Sequence, residues 1–196
     1  IFSRRVLDGL LLDRARKAGA ELRMERVRRV SVGEINGEKF DFVVGADGSG
    51  SLVRRTLVGA EERGAIGRAV MADLPIEGGS RWDGHARARY DFDFRAVTAG
   101  LQGYAWAFPC VIEGRPHVNA GVYARRAGAG PDLRALLRRL QADLGDASVR
   151  HQAAPIRCWS RLPFTADRTL LVGDAAGVEP LMGEGISYAI EYGRWA

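Results

Sequence analysis

The chain has 196 residues, 46% of them hydrophobic, and a net charge of +5, which suits a globular protein of one large domain or two lobes. Acidic residues are interleaved with the arginines, and this argues against nucleic-acid binding, where basic residues cluster on one face. No apolar run approaches the roughly 18 residues of a membrane span. Histidines 85, 117 and 151 lack the spacing of metal ligands, so no metal is predicted.

The N-terminal part of the chain predicts a helix followed by strands. Apolar residues at helical spacing predict a helix from a cap at Ser3 to about Ala18, ended by Gly19. The stretch "AELRMERVRRVSVGEINGEKFDFVV" has the pattern of strands, and Asn36-Gly37 is typical of a two-residue hairpin turn. "FDFVVGADG" then predicts a buried strand running into a turn, followed by a short helix in "SLVRRTL".

From about residue 64 the pattern becomes that of an antiparallel sheet. "RAVMADLPI", "HARARYDFDF", "GYAWAFPCVIEG" and "PHVNAGVYARR" read as strands, with a hairpin turn around Gly114. Pro131 and Asp132 begin a helix that Gly145 ends. Cys110 and Cys158 are isolated in sequence, as in a cytosolic protein with reduced, buried thiols.

After residue 155 the chain returns to a buried strand, "TLLVGDAAG", and then to a helix. The order of elements therefore predicts an α/β fold with an insertion. Residues 1–63 and 155–196 form two parts of a nucleotide-binding domain, and residues 64–154 form an inserted, mainly antiparallel β-sheet substrate domain.

Two predicted strands end in an aspartate beside a glycine, Asp47-Gly48 and Gly173-Asp174. Open α/β sheets bind ligands at the carboxyl ends of their strands. An aspartate there accepts hydrogen bonds from ribose or ribityl hydroxyl groups. For Asp47-Gly48 the alternative is a simple Asx turn with a positive-φ glycine.

The last predicted helix begins among glycines, at Gly183 and Gly185. The backbone N–H groups of residues 183–186 are expected to point outward, because a helix leaves its first amides without partners. The positive end of the helix dipole favours a ligand that gains negative charge, as a reduced flavin does. The alternative is a glycine-containing helix start that serves only close packing.

These stretches together resemble the FAD-dependent oxidoreductases of the p-hydroxybenzoate hydroxylase structural group. "ADGSGSLVRR" resembles the Asp-Gly motif of that group, "VGDAAGVEPLMGEGISYAI" its Gly-Asp motif, and "SRRVLDGLLLDRARKAGAEL" the preceding helix, whose arginine contacts FAD. The resemblance implies a Rossmann-like FAD-binding domain. The predicted cofactor-binding residues are Arg4, Asp47, Gly48, Gly173, Asp174, Pro180, Gly183, Glu184, Gly185 and Ile186.

"GYAWAFP" resembles the Tyr-x-Trp-x-Phe-Pro signature of the geranylgeranyl reductase branch, and "HVNAGVYA" resembles the Asn-x-Gly strand that follows it there. Alternation along a strand places Tyr104, Trp106 and Phe108 on one side. That side suits a long apolar or aromatic substrate beside the flavin. Together with Pro109 these are the predicted substrate-binding residues, and the alternative is a core stripe of a sandwich.

The resemblance implies a reductase that uses NAD(P)H and FAD to reduce carbon–carbon double bonds of a polyprenyl or other isoprenoid substrate. The first alternative is an FAD-dependent aromatic monooxygenase. Flavin-dependent halogenases carry a related Trp-x-Trp-x-Ile-Pro motif, but they need an active-site lysine that neither Lys17 nor Lys39 matches. The residues identify neither a catalytic group nor a proton donor.

The family's first βαβ unit, with its dinucleotide-binding glycine loop, has no counterpart in this sequence. We therefore expect the chain alone to bind FAD weakly or not at all, as an inactive fragment would. The isolated cysteines predict a cytoplasmic protein, and a polyprenyl substrate would bring it into peripheral contact with the inner face of a membrane.

Overall fold

The structure is a computed structural model, and it describes residues 4–59, 66–76, 82, 87–126, 130–145, 148–177 and 182–196. The α-helices in these ranges are α1 (Arg4–Lys17), α2 (Leu133–Leu144) and α3 (Ile186–Trp195). The strands are β1 (Val30–Ser31), β2 (Glu34–Ile35), β3 (Glu38–Lys39), β4 (Val43–Gly45), β5 (Ile66–Pro75), β6 (Asp91–Asp93), β7 (Gly103–Ile112), β8 (Arg115–Ala124), β9 (Gln152–Arg157), β10 (Thr165–Ala166) and β11 (Thr169–Leu171).

Short helical turns complete the fold: a π-helix at Arg54–Val58 and 3₁₀ turns at Arg95–Ala99 and Gly173–Ala175. In the ranges given above, the helices are too short or too polar to cross a membrane.

The largest layer is a five-stranded antiparallel sheet with the order β6-β7-β8-β5-β9. Its centre is the β7–β8 hairpin, paired from Gly103↔Ala124 to Ile112↔Arg115. The turn residues Glu113 and Gly114 have φ angles of 50° and 77°, as a type I′ turn requires. The predicted hairpin around Gly114 is thereby confirmed.

The two faces of this sheet differ, because successive side chains of a strand point to opposite sides. One face packs against α2 and forms a core of Val70, Leu74, Val118, Val122 and Leu137, all less than 3% exposed. The helix itself begins and ends as predicted, with an N-cap at residue 132 and a left-handed glycine at 145. The opposite face carries the predicted substrate-binding aromatic residues.

A second, smaller sheet joins distant parts of the chain in the order β10-β11-β4. β4 and β11 are parallel, with Val43 opposite Thr169 and Gly45 opposite Leu171. Val43, Val53 and Leu171 form the buried centre beside these strands. The two α/β segments thus flank an antiparallel sheet, and the predicted fold class is confirmed. β9 extends three residues past the predicted domain boundary at 154, and the domain division itself stays a prediction.

Residues 20–29 were expected to be strands, and this expectation is wrong. The Asn36 side chain bonds the backbone there instead, because its Oδ1 accepts from the N–H groups of Arg28 (2.9 Å) and Arg29 (3.2 Å) and its Nδ2 donates to Arg26 O (3.2 Å). An asparagine side chain competes in this way with a strand ladder. The Asn36-Gly37 turn itself is as predicted, with φ angles of 52° and 97°.

The predicted first helix is present as α1, but no residue of it is buried. Three residues of its apolar stripe, Val6, Leu10 and Leu11, are 40–52% exposed. The helix ends before Gly19, which has φ 98°, the left-handed conformation that a C-terminal glycine adopts. The proposed cap at Ser3 lies outside the described residues.

Candidate functional site

The two Asp-Gly and Gly-Asp motifs meet at one edge of the small sheet. Because β4 and β11 are parallel and in register at their ends, the segments that follow them leave the sheet side by side. The hydroxyl of Ser49 lies 3.0 Å from Asp174 Oδ2 and 2.9 Å from Pro155 O. Residues 125 positions apart in sequence therefore contribute to one site, at the strand ends where such sheets bind ligands.

Asp47 organises the loop that follows β4. Its Oδ1 accepts from Ser51 Oγ at 2.5 Å, and its Oδ2 accepts from the N–H groups of Leu52 (2.7 Å) and Val53 (3.3 Å). Gly48 has φ 76°, and no heavy atom of the described residues lies within 4 Å of the place a Cβ would take there. The loop therefore leaves room for a ligand beside Gly48, and Asp47 shapes that loop.

Arg54, which was not among the predicted site residues, joins the two motifs from the buried side of the site. The side chain is 1% exposed. It donates from Nε to Ala175 O (2.7 Å) and from Nη2 to Ala176 O (2.8 Å). A buried guanidinium needs such acceptors to offset the loss of water. The sequence gives little sign of this role, because Arg54 stands beside a second arginine, Arg55, in the turn Arg54–Val58.

Asp174 lies half-buried in the 3₁₀ turn after β11. Gly173 has φ 56° and Gly177 has φ 83°, and a Cβ on Gly177 would come 2.7 Å from Cys158 O. The turn is therefore tightly packed on one side. A carboxylate has about four acceptor sites, and the hydrogen bond from Ser49 engages Oδ2. Asp174 can accept ligand hydroxyl groups in addition.

The start of α3 differs from the sequence expectation at Ile186. Its N–H was expected to face a ligand, but it donates to Oε1 of Glu184 at 3.1 Å. The same carboxylate accepts from Ser187 N (3.3 Å) and Ser187 Oγ (2.6 Å). A carboxylate is stabilised there by the positive end of the helix dipole. Glu184 thus caps the helix in this structure, and Pro180 lies outside the described residues.

The segment before α3 lies directly against the five-stranded sheet. Tyr104 donates its hydroxyl hydrogen to Met182 O at 2.6 Å. Gly183 has φ 72°, and a Cβ there would come 3.0–3.2 Å from ring atoms of Tyr123. The predicted cofactor segment and the predicted substrate strand are therefore brought into contact.

An aromatic surface surrounds this contact on the side of the sheet opposite α2. Ring centroids of Tyr104 and Trp106 are 6.0 Å apart, and those of Trp106 and Phe108 are 6.3 Å apart. β6 and its flanks add three rings that the sequence reasoning missed, although Tyr90, Phe92 and Phe94 alternate in "YDFDF". The aromatic face is defined as Tyr90, Phe92, Phe94, Tyr104, Trp106 and Phe108.

Phe92 is the centre of this added row. Its ring centroid lies 5.0 Å from that of Phe108 and 5.5 Å from that of Tyr104, and Phe92 is 51% exposed. These are ordinary separations for interacting aromatic pairs. The aromatic face is thus packed within itself and open on its outer side.

Two predicted site residues lie apart from these groups. Pro109 has the strand parity of Ala105 and Ala107, which pack in the core beside α2, so it does not share the aromatic face. Arg4 is exposed on α1 and donates to Asp8 one turn later, at 3.2 and 3.3 Å. A contact of Arg4 with FAD stays a prediction.

No family model matches the chain. It is 30% identical over 217 aligned positions to the geranylgeranyl diphosphate reductase of Synechocystis sp., covering 97% of this chain and 51% of that protein. It is also 30% identical to the digeranylgeranylglycerophospholipid reductase 1 of Methanopyrus kandleri, covering 100% of this chain and 56% of that protein. The chain thus spans about half the length of these relatives.

Solved structures of similar fold include a probable FAD-dependent monooxygenase and a flavin-dependent halogenase. Pseudomonas aeruginosa PqsL, in complex with 2-aminobenzoylacetate, has a TM-score of 0.59 and 24% identity, covering 94% of this chain and 55% of that chain. BrvH, a flavin-dependent halogenase from Brevundimonas sp. BAL3, has a TM-score of 0.65 and 20% identity, covering 94% of this chain and 38% of that chain. At these identities the likeness is one of fold. The chain is a homologue of the geranylgeranyl reductases, with the fold of FAD-dependent oxidoreductases of the p-hydroxybenzoate hydroxylase-like group.

Proposed function

We propose that the chain is part of an FAD-dependent oxidoreductase that reduces carbon–carbon double bonds of an isoprenoid substrate. The observation that carries this is the hydrogen bond from Tyr104 to Met182 O. It joins the aromatic face, which suits a long apolar ligand, to the segment that would lie beside a flavin ring. The relatives named as geranylgeranyl reductases support the same activity.

The residues present fit the flavin end of FAD. Gly48 leaves open space next to its backbone, and Asp174 has acceptor sites for ribityl hydroxyl groups. Gly183 keeps a left-handed backbone packed against the Tyr123 ring, which holds the predicted cofactor segment against the sheet. We propose Asp174 as the direct polyol contact and Asp47 as the residue that shapes the loop around Gly48.

FAD would supply hydride transfer, with NAD(P)H as the proposed source of electrons. The chain's own contribution is binding and orientation. The aromatic face would bind the isoprenoid chain by burial of apolar area, worth about 25 cal/mol per Å², and exclude water from the reacting bond. The Tyr104 hydroxyl would keep that face in a constant position relative to the Met182–Gly183 segment.

Glu184 has a separate proposed role at the start of α3. Its carboxylate now occupies the positive end of the helix, where a reduced flavin would place negative charge. Bound cofactor and the Glu184 side chain would compete for the Ile186 amide. We therefore propose that Glu184 turns away when FAD binds.

The test uses the full-length protein and begins with its flavin content. We expect a purified yellow protein that, supplied with NADPH and geranylgeranyl diphosphate under nitrogen, gains H₂ per reduced double bond by mass spectrometry. Tyr104→Phe, which removes only the hydroxyl, should lower this rate, while Gln152→Ala, an exposed change in the same sheet, should not. A flavin-free protein, or one that leaves the isoprenoid unchanged, would contradict the proposal.

An aromatic monooxygenase is the second candidate, because the aromatic face would also bind an aromatic substrate and PqsL shares the fold. Oxygen uptake that depends on an added aromatic compound would favour it. A third candidate is a chain that cannot hold FAD alone. Flavin absorbance of residues 1–196, compared with that of the full-length protein, separates this from the other two.

A lipid-linked isoprenoid would also bring the protein to a membrane surface as a peripheral protein. Co-sedimentation with vesicles that contain the isoprenoid, compared with vesicles that lack it, tests this. Equal sedimentation with both kinds of vesicle would contradict a substrate-directed contact.

A further inference from the structure

The indole of Trp106 is the end of a chain of side-chain hydrogen bonds that crosses three strands. Trp106 Nε1 donates to Asn119 Oδ1 at 2.7 Å, and Asn119 Nδ2 donates to Asp73 Oδ1 at 2.8 Å. The three residues lie on β7, β8 and β5, and Asn119 is directly opposite Asp73. All three side chains are partly buried.

The direction of this chain is determined by chemistry. An indole N–H only donates, and an ionised carboxylate only accepts. The Asn119 amide must therefore turn its oxygen to Trp106 and its NH₂ group to Asp73. The opposite amide orientation would place two donors face to face at one end and two acceptors at the other.

The indole of Trp106 packs directly over the backbone of Gly121, which limits the positions that the ring can take. Trp106 is directly opposite Gly121 on β8, and a Cβ on Gly121 would come 2.2 Å from Trp106 Cζ2. The ring therefore lies flat over a position without a side chain. With its N–H bonded to Asn119, the indole is held in one orientation on the aromatic face.

We propose that Asn119 and Asp73 are positioning residues that set the orientation of Trp106 and thereby the shape of the isoprenoid-binding surface. The inference rests on the proposed function, because it assigns that surface to the substrate. Asn119 and Asp73 lie on the same side of the sheet as Trp106, since Asn119 is opposite Phe108 and Asp73 is opposite Asn119, but neither contributes a ring to the aromatic face. Asp73 acts on Trp106 only through Asn119.

Loss of Asn119 leaves the indole N–H without its acceptor, so the ring is expected to sample other rotamers. Asp73→Asn retains an oxygen that can accept from Asn119, so it is the conservative variant that preserves the chain. Asp73→Ala removes that acceptor and lets the Asn119 amide rotate. The expected order of effect is thus Asn119→Ala, then Asp73→Ala, with Asp73→Asn near the natural protein.

The experiment uses the full-length protein labelled with 5-fluorotryptophan, and the signal of Trp106 is identified by its loss in Trp106→Phe. In Asn119→Ala we expect the ¹⁹F signal of Trp106 to shift and broaden. The Kd for geranylgeranyl diphosphate, measured by calorimetry, should rise roughly tenfold, the size of effect expected when a partly buried donor loses its partner. Asp73→Ala should change both in the same direction but less, Asp73→Asn should leave both near their values in the natural protein, and Gln152→Ala, an exposed amide in the same sheet, should change neither.

The two readouts distinguish this inference from the proposed function. An unchanged Trp106 signal or an unchanged Kd in Asn119→Ala would overturn the inference. If Asn119→Ala does not fold, Asp73→Ala tests the same chain from its other end. Binding of the prenyl diphosphate without turnover would contradict the proposed reductase and leave the inference standing. In a Trp106→Phe background Asn119→Ala should have no further effect on Kd, and a persistent effect would also overturn it.

Discussion

Substitution of Gly121 by alanine tests how closely the sheet and the Trp106 indole are packed. A Cβ there would lie 2.2 Å from Trp106 Cζ2 and 2.4 Å from Cη2. Ordinary carbon–carbon contacts are about 3.5–4.0 Å, so the ring must move by roughly 1.3 Å or more. Such overpacking costs about 1–3 kcal/mol.

Displacement of the ring also weakens its hydrogen bond to Asn119, which adds about 1 kcal/mol to the destabilisation. Alanine also lowers the conformational entropy of the unfolded chain, which offsets about 0.4–1 kcal/mol of this destabilisation. The net expectation is a loss of roughly 2 kcal/mol in the free energy of unfolding, measured as a lower urea midpoint at constant slope.

A double-mutant cycle identifies the cause. In a Trp106→Ala background, which removes all the ring atoms that meet the new Cβ, Gly121→Ala should cost less than about 0.5 kcal/mol. Gly193→Ala, in an exposed helix with no heavy atom within 4 Å, is the control and should be neutral or stabilising by about 0.5–1 kcal/mol. An equal cost for Gly121→Ala in both backgrounds would refute the reasoning.

Three other changes test further parts of the structure. Gly183→Ala should destabilise more than Gly114→Ala, because both require φ above 70° but only the first also meets the Tyr123 ring, and thermal unfolding of the two variants compares them directly. Phe92→Ala should raise the Kd for a long prenyl diphosphate more than for a short one, since it removes the central ring of its row and a long chain covers more of the aromatic face, and equal effects would contradict that role. Burial raises the pKa of the Cys110 thiol, assisted by the nearby Asp73 carboxylate, so iodoacetamide should label the native protein slowly at pH 8.5. The unfolded thiol ionises near pH 8.5, whereas the native thiol ionises only at higher pH. The free energy of unfolding should therefore fall as the pH rises above about 8.5. A Cys110→Ala variant should lose the part of this decline that comes from the thiol.

Local signals in the sequence predicted local structure well. Both hairpin turns contain residues that accept a positive φ, Asn36 and Gly37 in one and Gly114 in the other. Asp132 and Gly145 bound α2 as cap and C-terminal glycine. The pairing of the two aspartate motifs was also predictable, because the carboxyl ends of neighbouring parallel strands lie at one edge.

Contacts between residues far apart in the chain could not be predicted from sequence patterns. Arg54 is buried because it finds carbonyl acceptors 121 and 122 residues away, and nothing near it in sequence indicates them. The contacts of Phe92 and Asn119 depend on strand register, which a single sequence does not specify. Pro109 was placed with its neighbours in the motif, although strand alternation turns it to the other face.

The parallel pairing of β4 with β11 has a consequence for how the protein folds. The segments that carry Ser49 and Asp174 are 125 residues apart, and closing a loop of that length early costs chain entropy that few contacts repay. The hairpin strands between them are local and can form first. Once they have formed, they shorten the effective distance between the two ends. We therefore expect the β4–β11 pair to be the last part to assemble and the first to open, with amide hydrogens of β4 and β11 exchanging faster than those of β7 and β8.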